Sequence, residues 1–227
     1  MSEQVREMFS SIAGRYDVTN VVLSFGLDHW WRRVAVRAGG TGPGMRVLDC
    51  ATGTGDLALA FRRTGAVVVG TDFCAPMLGP ARQKAQAAGL EVTFEVADAL
   101  ALPYPDASFD LASISFGIRN VDDPVRCLRE MARVVKPGGR ILVLEFGQPR
   151  GLWGALYRFY SRVVMPFVGG LLTGNRAAYQ YLPRTAAAFP AGEAFLELMD
   201  RSGSFAGRSA RSLTGGIAWL YQGRRAG

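Results

Sequence analysis

Residues 45–58 have the composition of a ligand-binding loop. An apolar run ends in Asp49, small residues with Gly53 and Gly55 follow, and Asp56 opens a segment of helical pattern. Glycine lets the backbone approach a ligand closely, and the first turn of a helix offers free N–H groups to an anion. A strand, a glycine loop and a helix start in this order therefore predict a ligand cradle.

Two cofactor classes and one purely structural alternative fit this stretch. The spacing of Gly53, Gly55 and Ala58 satisfies the loose dinucleotide fingerprint. Asp72 ends a second apolar run 19 positions after Gly53, which suits ribose hydroxyls in either class. Asp49 favours S-adenosylmethionine (SAM), because a carboxylate ahead of the glycines suits the amino group of that molecule. The third possibility is a structural glycine turn in another kind of α/β protein.

The segments around this loop alternate between strand and helix patterns. Strands are predicted at 45–50, 66–71, 91–96, 109–115 and 140–146, with helices near 55–63, 75–88 and 123–135. The Lys-Pro-Gly-Gly run at 136–139 indicates a turn into the fifth strand. This alternation predicts an α/β fold with a doubly wound, mostly parallel sheet, whose ligands lie at the carboxyl ends of the strands.

Three predicted strands therefore end in candidate site residues. Asp72 ends the second strand, and Asp98-Ala99 ends the third, well placed to meet the edge of an adenine. The fourth strand is followed by Arg119 and Asn120, which at this edge of the sheet would face the reaction site. The alternative for these last two residues is a solvated loop.

Residues 1–40 precede the first strand and have a helical pattern. Apolar residues fall at i, i+3, i+4 and i+7, namely Val5, Met8, Phe9 and Ile12. A second helix is predicted at 29–37, with Asp28 as its N-cap. These helices would form a cap over the cofactor, or would merely pack on the sheet.

Residues 149–182 break the alternation with an apolar and aromatic stretch. Arg158, Arg162 and Pro166 interrupt it, which argues against a transmembrane helix. The stretch predicts an insertion that forms an apolar substrate lid or a membrane-touching surface, with ordinary core helices as the alternative. A last helix near 191–201 and strands near 205–211 and 216–222 would complete the sheet within the C-terminal segment 183–227.

Bulk composition narrows the class of protein. The 227 residues suffice for one domain with a sizeable core. The net charge of +7 is compatible with an anionic membrane surface or with a generally basic proteome, and the scattered basic residues argue against a nucleic-acid partner. Cys50, Cys74 and Cys127 have no metal-ligand spacing, which predicts a reduced, cytoplasmic protein without a metal; the polar residues 1–7 carry no signal peptide.

Several short motifs occur together along nearly the whole chain. The most specific are Ser115-Phe116-Gly117-Ile118-Arg119-Asn120-Val121 and Leu144-Glu145-Phe146, and the others are Tyr16-Asp17 with Asn20, Leu23-Ser24-x-Gly26, Trp31-Arg32, Gly53-Thr54-Gly55-Asp56-Leu57, Asp72-Phe73 with Met77-Leu78, Tyr179-x-Tyr181-Leu182-Pro183, Phe189-Pro190 and Thr214-Gly215-Gly216-Ile217. Together they resemble the menaquinone/ubiquinone C-methyltransferase family. The resemblance implies a Rossmann-like class I methyltransferase fold and SAM-dependent methylation of a prenylated quinol ring.

The resemblance also assigns individual residues. Carried over by position, the family's cofactor contacts fall on Thr54, Asp72, Asp98, Ala99 and Ser115. Its candidate chemistry falls on Tyr16 and Arg119: the arginine would stabilise oxyanion charge, and the tyrosine would relay a proton. Family members often have His where this chain has Asp28, so His29 is a secondary candidate for the base.

The implied reaction converts demethylmenaquinol to menaquinol. The alternatives are the equivalent ubiquinone-pathway step, a methyltransferase of another substrate class, or a non-catalytic binding protein on the same frame. Motifs typical of nucleic-acid methyltransferases are absent from the sequence. The tail of a prenylated quinol predicts peripheral association with the inner face of the membrane, and a homodimer is left open.

Overall fold

Seven strands form one sheet in the computed structural model, which describes residues 3–227. They are β1 (Arg46–Cys50), β2 (Val67–Asp72), β3 (Thr93–Val96), β4 (Phe109–Ser115), β5 (Val135–Phe146), β6 (Phe205–Leu213) and β7 (Ala218–Arg225). Their order is β3-β2-β1-β4-β5-β7-β6; the first five are parallel, and β7 runs antiparallel to both of its neighbours. The predicted doubly wound, mostly parallel α/β sheet is confirmed.

The helices predicted at 29–37, 55–63, 75–88, 123–135 and 191–201 are present with small shifts at their ends, whereas the helices in the segment 151–188 had no predicted bounds. The described helices are α1 (Glu3–Ile12), α2 (Tyr16–Ser24), α3 (Leu27–Gly39), α4 (Asp56–Arg62), α5 (Ala75–Ala87), α6 (Pro124–Val134), α7 (Gly151–Phe159), α8 (Met165–Thr173), α9 (Arg176–Ala188) and α10 (Glu193–Ser202). A π-helical turn at Tyr160–Val164 joins α7 to α8. The side chains of Phe9 and Ile12, part of the predicted apolar stripe, lie outside the described residues.

Both faces of the sheet are covered, because its central strands are apolar on both sides. Val47 and Leu111 face the core formed with α3, α4 and α5. Leu48 and Ala112, their neighbours in sequence, face the opposite core formed with α6 and α10. This period of two places successive residues on opposite faces and holds the strand ends at one edge.

The turn predicted at 136–139 is a bulge inside β5. Val135 pairs with Phe109, whereas the next paired residue on β5 is Arg140, opposite Leu111. The four residues between them leave the ladder, and Gly138 takes a left-handed conformation with φ +74°. Proline cannot donate to a ladder, so its position in a bulge is the expected one.

The N-terminal helices and the segment 151–188 pack against each other. Leu23 of α2, Met165 of α8 and Tyr179 of α9 form a third apolar cluster, separate from the two sheet cores. The Tyr160 hydroxyl donates a hydrogen bond to the Leu23 carbonyl at 2.9 Å. No helix among residues 3–227 is long and apolar enough to cross a membrane. The predicted cap and the predicted insertion therefore form one helical layer.

Candidate active site

The loop between β1 and α4 is held in an unusual backbone conformation. Gly53 and Gly55 have φ values of +57° and +82°. A Cβ on Gly55 would lie 3.0 Å from the Ala81 Cβ and from the Phe94 ring, so the close packing of α4, α5 and β3 also requires glycine there. Ala51 and Phe116, which follow β1 and β4, are non-glycine residues with positive φ. Such conformations cluster at functional sites.

A small cavity of about 80 Å³ lies at the carboxyl edge of the sheet. Five of the seven residues predicted to bind the cofactor line it: Gly53, Asp72, Asp98, Ala99 and Ser115. They lie at the carboxyl ends of the adjacent strands β1, β2, β3 and β4 or in the loops that follow them. The topology of the sheet thus brings together residues that are up to 62 positions apart in the sequence.

Two backbone N–H groups hold the carboxylate of Asp72 in place. Its two oxygens accept the backbone N–H groups of Gly53 and Cys74, each at 2.8 Å. Burial raises the pKa of Asp72, although these two N–H groups oppose the shift. Each carboxylate oxygen can accept more than one hydrogen bond, so the fixed carboxylate keeps acceptor capacity for a diol.

Asp49 and Thr54 are buried under the loop and do not line the cavity. Asp49 is fully buried and accepts hydrogen bonds from the hydroxyls of Thr52 and Ser113, each at 2.7 Å. Burial raises the pKa of Asp49 to about 6 against the effect of both hydroxyls. The Thr54 hydroxyl donates to Asp17 of α2. Their direct contact with a cofactor stays a prediction.

An ionic network behind this loop ties four helices together. Lys84 of α5 lies 2.8 Å from Asp17 and 2.5 Å from Asp56, and Arg32 of α3 lies 2.6 Å from Asp28 and 3.5 Å from Asp56. Only the Asp28–Arg32 pair, at i and i+4 on one helix, carries a signal in the sequence. The other pairs join residues 24 to 67 positions apart, and sequence reasoning missed them.

A second cavity, about 350 Å³ in volume, lies between the sheet edge and the helical layer. Its walls are mostly apolar and include the mutually packed rings of Trp31, Phe116 and Phe146, whose centroids lie 4.4 to 6.2 Å apart. Tyr16 and Phe116 line both cavities, so the two spaces adjoin at these residues. A polar ligand at the sheet edge would therefore meet an apolar ligand across Tyr16 and Phe116.

Arg119 lines the apolar cavity and is also paired inside the protein. Its Nη1 donates to Glu145 Oε1 at 2.7 Å and to the Phe116 carbonyl at 2.5 Å, and its guanidinium lies 5.2 Å from the centroid of the Phe146 ring. The side chains of Arg119 and Glu145 are only 3% and 1% exposed. Nε of Arg119 has no hydrogen-bond partner among the described residues. The arginine thus anchors its own loop and presents charge to the cavity.

Tyr16 begins α2 and stands between the two cavities. Burial raises the pKa of Tyr16, and a hydrogen bond with Asn20 and the charges of Arg119 and Arg32 only partly oppose the shift. The phenol therefore stays protonated at neutral pH and can donate a hydrogen bond. Asn120, also singled out in the sequence, lines the small cavity and accepts a hydrogen bond from Tyr181 at 3.1 Å.

The predicted N-cap of α3 was wrong. Asp28 is the second residue of the helix, and its N-cap is Gly26 with φ +73°. His29 lies in an exposed groove beside Arg33 and Arg37 and lines neither cavity described above, which does not support it as the base. Asp28 lines the apolar cavity and is 5% exposed. Asp28 is therefore the acidic residue that sequence reasoning should have placed in the site.

Comparison with known proteins identifies one family along nearly the whole chain. The model of the ubiE/COQ5 methyltransferase family matches residues 1–225. A Bdellovibrio bacteriovorus protein named ubiquinone/menaquinone biosynthesis C-methyltransferase UbiE is 54% identical over 224 residues, 97% of this chain and 95% of that protein. A Thermus thermophilus demethylmenaquinone methyltransferase is 52% identical over 223 residues, 96% of this chain and all of that protein.

Among solved structures, a SAM-dependent methyltransferase of Thermotoga maritima, described as a possible histamine N-methyltransferase, superposes with a TM-score of 0.69 at 21% identity. The match covers 96% of this chain and 99% of that one, and at this identity it concerns the fold alone. The family match and the two relatives are the evidence for the family to which the chain belongs. The chain belongs to the ubiE/COQ5 methyltransferase family.

Proposed function

We propose that this protein transfers a methyl group from SAM to a ring carbon of a prenylated quinol, converting demethylmenaquinol to menaquinol. The observation that carries the proposal is the pair of adjoining cavities: a small one at the sheet edge that contains Asp72, Asp98 and Ser115, and a larger apolar one lined with aromatic rings. Tyr16 and Phe116 lie in the walls of both. The names of the relatives, which are quinone-biosynthesis C-methyltransferases, agree with this chemistry.

The residues of the small cavity fit SAM. Asp72, fixed by two backbone N–H groups, suits the ribose diol, and Asp98 with Ala99 lies where the adenine would meet the edge of the sheet. Bound SAM supplies an electrophilic methyl group; the chain supplies the position and a partly enclosed surrounding for it.

The residues of the apolar cavity fit an aromatic diol. A quinol ring carbon becomes nucleophilic when the adjacent hydroxyl ionises, so the site must favour the phenolate. Arg119 places a buried positive charge at this cavity, where it stabilises an oxyanion. Tyr16, protonated and located between the cavities, can relay the departing proton: its oxygen accepts that proton while its own proton passes to solvent. The rings of Trp31, Phe116 and Phe146 offer stacking surface for a bicyclic ring.

The mouth of the apolar cavity is surrounded by exposed apolar side chains. Phe25, Trp153 and Leu156 line the cavity and are also 78%, 45% and 57% exposed. Further exposed apolar residues lie on α2, α7, α8 and the π-helical turn between α7 and α8: Val18, Val22, Leu152, Phe159, Val163, Phe167 and Leu171. Exposed Arg158 and Arg162 lie among them. An apolar surface with basic residues suits the peripheral binding of an anionic membrane, from which the prenylated substrate would enter.

The test is methyl transfer by the purified protein in liposomes that carry either demethylmenaquinol or the corresponding demethylated ubiquinone precursor, both kept reduced. With radiolabelled SAM, we expect label in menaquinone, identified by mass spectrometry. Label in the benzoquinone product alone would replace the menaquinone assignment by the ubiquinone one. Normal SAM binding without transfer to either quinol would overturn the proposal and leave another substrate class.

A further inference from the structure

Asp28 is the one acidic residue among the described residues that line the apolar cavity. Among the described residues around this cavity, the other charged side chains are Arg32 and Arg119, and both are cationic. A buried carboxylate in an apolar ring-binding cavity is costly unless it is paired or has a ligand to accept from. The methyl transfer outlined above makes no use of it.

The carboxylate of Asp28 is fixed from two sides. Ser24 Oγ donates to Oδ1 at 2.8 Å, and Arg32 Nη1 lies 2.6 Å from Oδ2. Burial by itself would raise the pKa of Asp28, but the Arg32 guanidinium and the Ser24 hydroxyl outweigh it, so the pKa lies below its ordinary value. The group is ionised at neutral pH and can only accept hydrogen bonds. Two bonds leave acceptor capacity on both oxygens.

An acceptor of this kind distinguishes the two redox states of a quinone ring. The reduced ring carries two hydroxyl groups in para positions, and each can donate a hydrogen bond. The oxidised ring carries two carbonyl oxygens, which only accept and which place partial negative charge against the carboxylate. Arg119 tolerates either state, because a guanidinium donates to a carbonyl, a hydroxyl or an oxyanion.

We propose that Asp28 makes the ring cavity selective for the reduced quinol, by accepting a hydrogen bond from a ring hydroxyl that the oxidised quinone lacks. The proposal rests on the proposed quinol substrate. Arg119 takes the oxygen next to the methylated carbon, and Asp28 takes the hydroxyl that stays protonated. Asp28 is then a specificity-determining residue, which keeps the unreactive oxidised ring from occupying the site.

The expected size of this selectivity follows from the strength of a buried hydrogen bond to a charged group. Such bonds correspond to roughly 10- to 150-fold in affinity. The test measures binding of a short-chain demethylmenaquinone to the SAM-loaded protein without oxygen, once oxidised and once reduced. We expect the reduced form to bind roughly 10- to 150-fold more tightly.

Asp28→Asn should bring the ratio of the two affinities close to one, because a carboxamide can donate to a carbonyl. Asp28→Glu should keep a preference for the reduced ring, because it retains the carboxylate. The matched control is Asp56→Asn, which removes the other acidic partner of Arg32 but lies outside the apolar cavity; its ratio should equal that of the unmodified protein.

Equal affinities of the unmodified protein for both forms would overturn the inference, and this result does not depend on how well any variant folds. An unchanged ratio in Asp28→Asn, or an equal loss of the ratio in Asp56→Asn, would also overturn it. If neither form binds, the proposed quinol substrate itself fails, which is a different result.

Discussion

Replacing Arg119 by alanine, alone and together with Glu145→Gln, would separate its structural role as a loop anchor from its proposed chemical role. Arg119 forms a 2.7 Å ion pair with Glu145, and both side chains are almost fully buried. Removing one partner of a buried pair costs about 3–5 kcal/mol, because the remaining charge has no compensation. For a chain of this size, that loss lowers the melting temperature by roughly 6 to 20 °C. A large effect on stability is therefore expected whether or not Arg119 takes part in the chemistry.

The chemical role adds a second, separable loss. Removing a donor that stabilises an oxyanion raises the barrier by about 2–4 kcal/mol, or roughly 30- to 1,000-fold in rate. The double variant Arg119→Ala/Glu145→Gln removes both charges of this pair, so neither is left uncompensated, and it should recover much of the melting temperature. It should not recover turnover, since the cavity still lacks the Arg119 guanidinium. Arg119→Lys keeps the charge but loses the planar fork, so it should restore turnover only in part.

The assay compares the unmodified protein, Arg119→Ala, Glu145→Gln and the double variant. It measures their melting temperatures, and their SAM affinity and turnover of demethylmenaquinol at a temperature where all four are folded. Turnover that returns together with stability in the double variant would refute the catalytic role and leave Arg119 as a loop anchor. Turnover that stays low in a stable double variant with normal SAM affinity would support it. Glu145→Gln alone is the matched control, because it removes the pair and keeps the cation.

Three further predictions address the cofactor, the buried acid and the membrane surface. Asp72→Ala should weaken SAM binding on the order of 100-fold in isothermal titration while the fold persists, because two charged hydrogen bonds to the ribose are lost. Asp49→Asn should raise the melting temperature at pH 7. The pKa of Asp49 in the folded state, about 6, lies above the ordinary value of 3.8, so the folded state binds the proton more tightly than the unfolded state. The contribution of Asp49 to the free energy of unfolding therefore falls by about 3 kcal/mol as the pH rises from 4 to 6. Leu152→Ser combined with Leu171→Ser should lower binding to anionic vesicles roughly 10- to 100-fold, because both side chains are more than three-quarters exposed on the proposed membrane surface.

Each of these predictions has a result that contradicts it. Unchanged SAM affinity in Asp72→Ala would mean that the ribose lies elsewhere. A melting temperature of Asp49→Asn that is lower at pH 7 would mean that the carboxylate is a net stabilising group. The vesicle experiment needs Val67→Ser with Val96→Ser as its control, since these side chains are also exposed but lie on β2 and β3; an equal loss in the control would remove the case for a specific membrane surface.

Much of the fold was predictable because strand and helix patterns are local. The apolar runs that became β1, β2 and β4 were recognisable from a few residues each, and their order implied a parallel sheet. Once the sheet is parallel, its carboxyl ends meet at one edge, so Asp72, Asp98 and Arg119 could be grouped in advance. The bulge in β5 was less predictable, since the same Lys-Pro-Gly-Gly residues serve equally in a turn before a strand.

The two residues Asp28 and His29 show where local reasoning fails. Neighbouring residues on a helix point roughly 100° apart, so an error of one or two positions at the helix start changes which of them faces inward. The structure turns Asp28 into the apolar cavity and His29 into an exposed groove. The packing of α3 on α2, α4 and β5 fixes that rotation. Trp31, Val34 and Ala35 are buried on the same helix as Asp28, so the helical spacing of these apolar residues was the signal in the sequence.

The sequence by itself determined the element order, the glycine loop, the acidic strand ends and the family. The tertiary structure alone decided which charges meet: Arg119, in the turn after β4, with Glu145 of β5, and Lys84 with Asp17, 67 residues apart in the sequence. It also decided that α2, α3 and the insertion enclose one apolar cavity next to the cofactor site. These contacts depend on the relative placement of elements far apart in the chain, whereas sequence patterns record only the structure of each element.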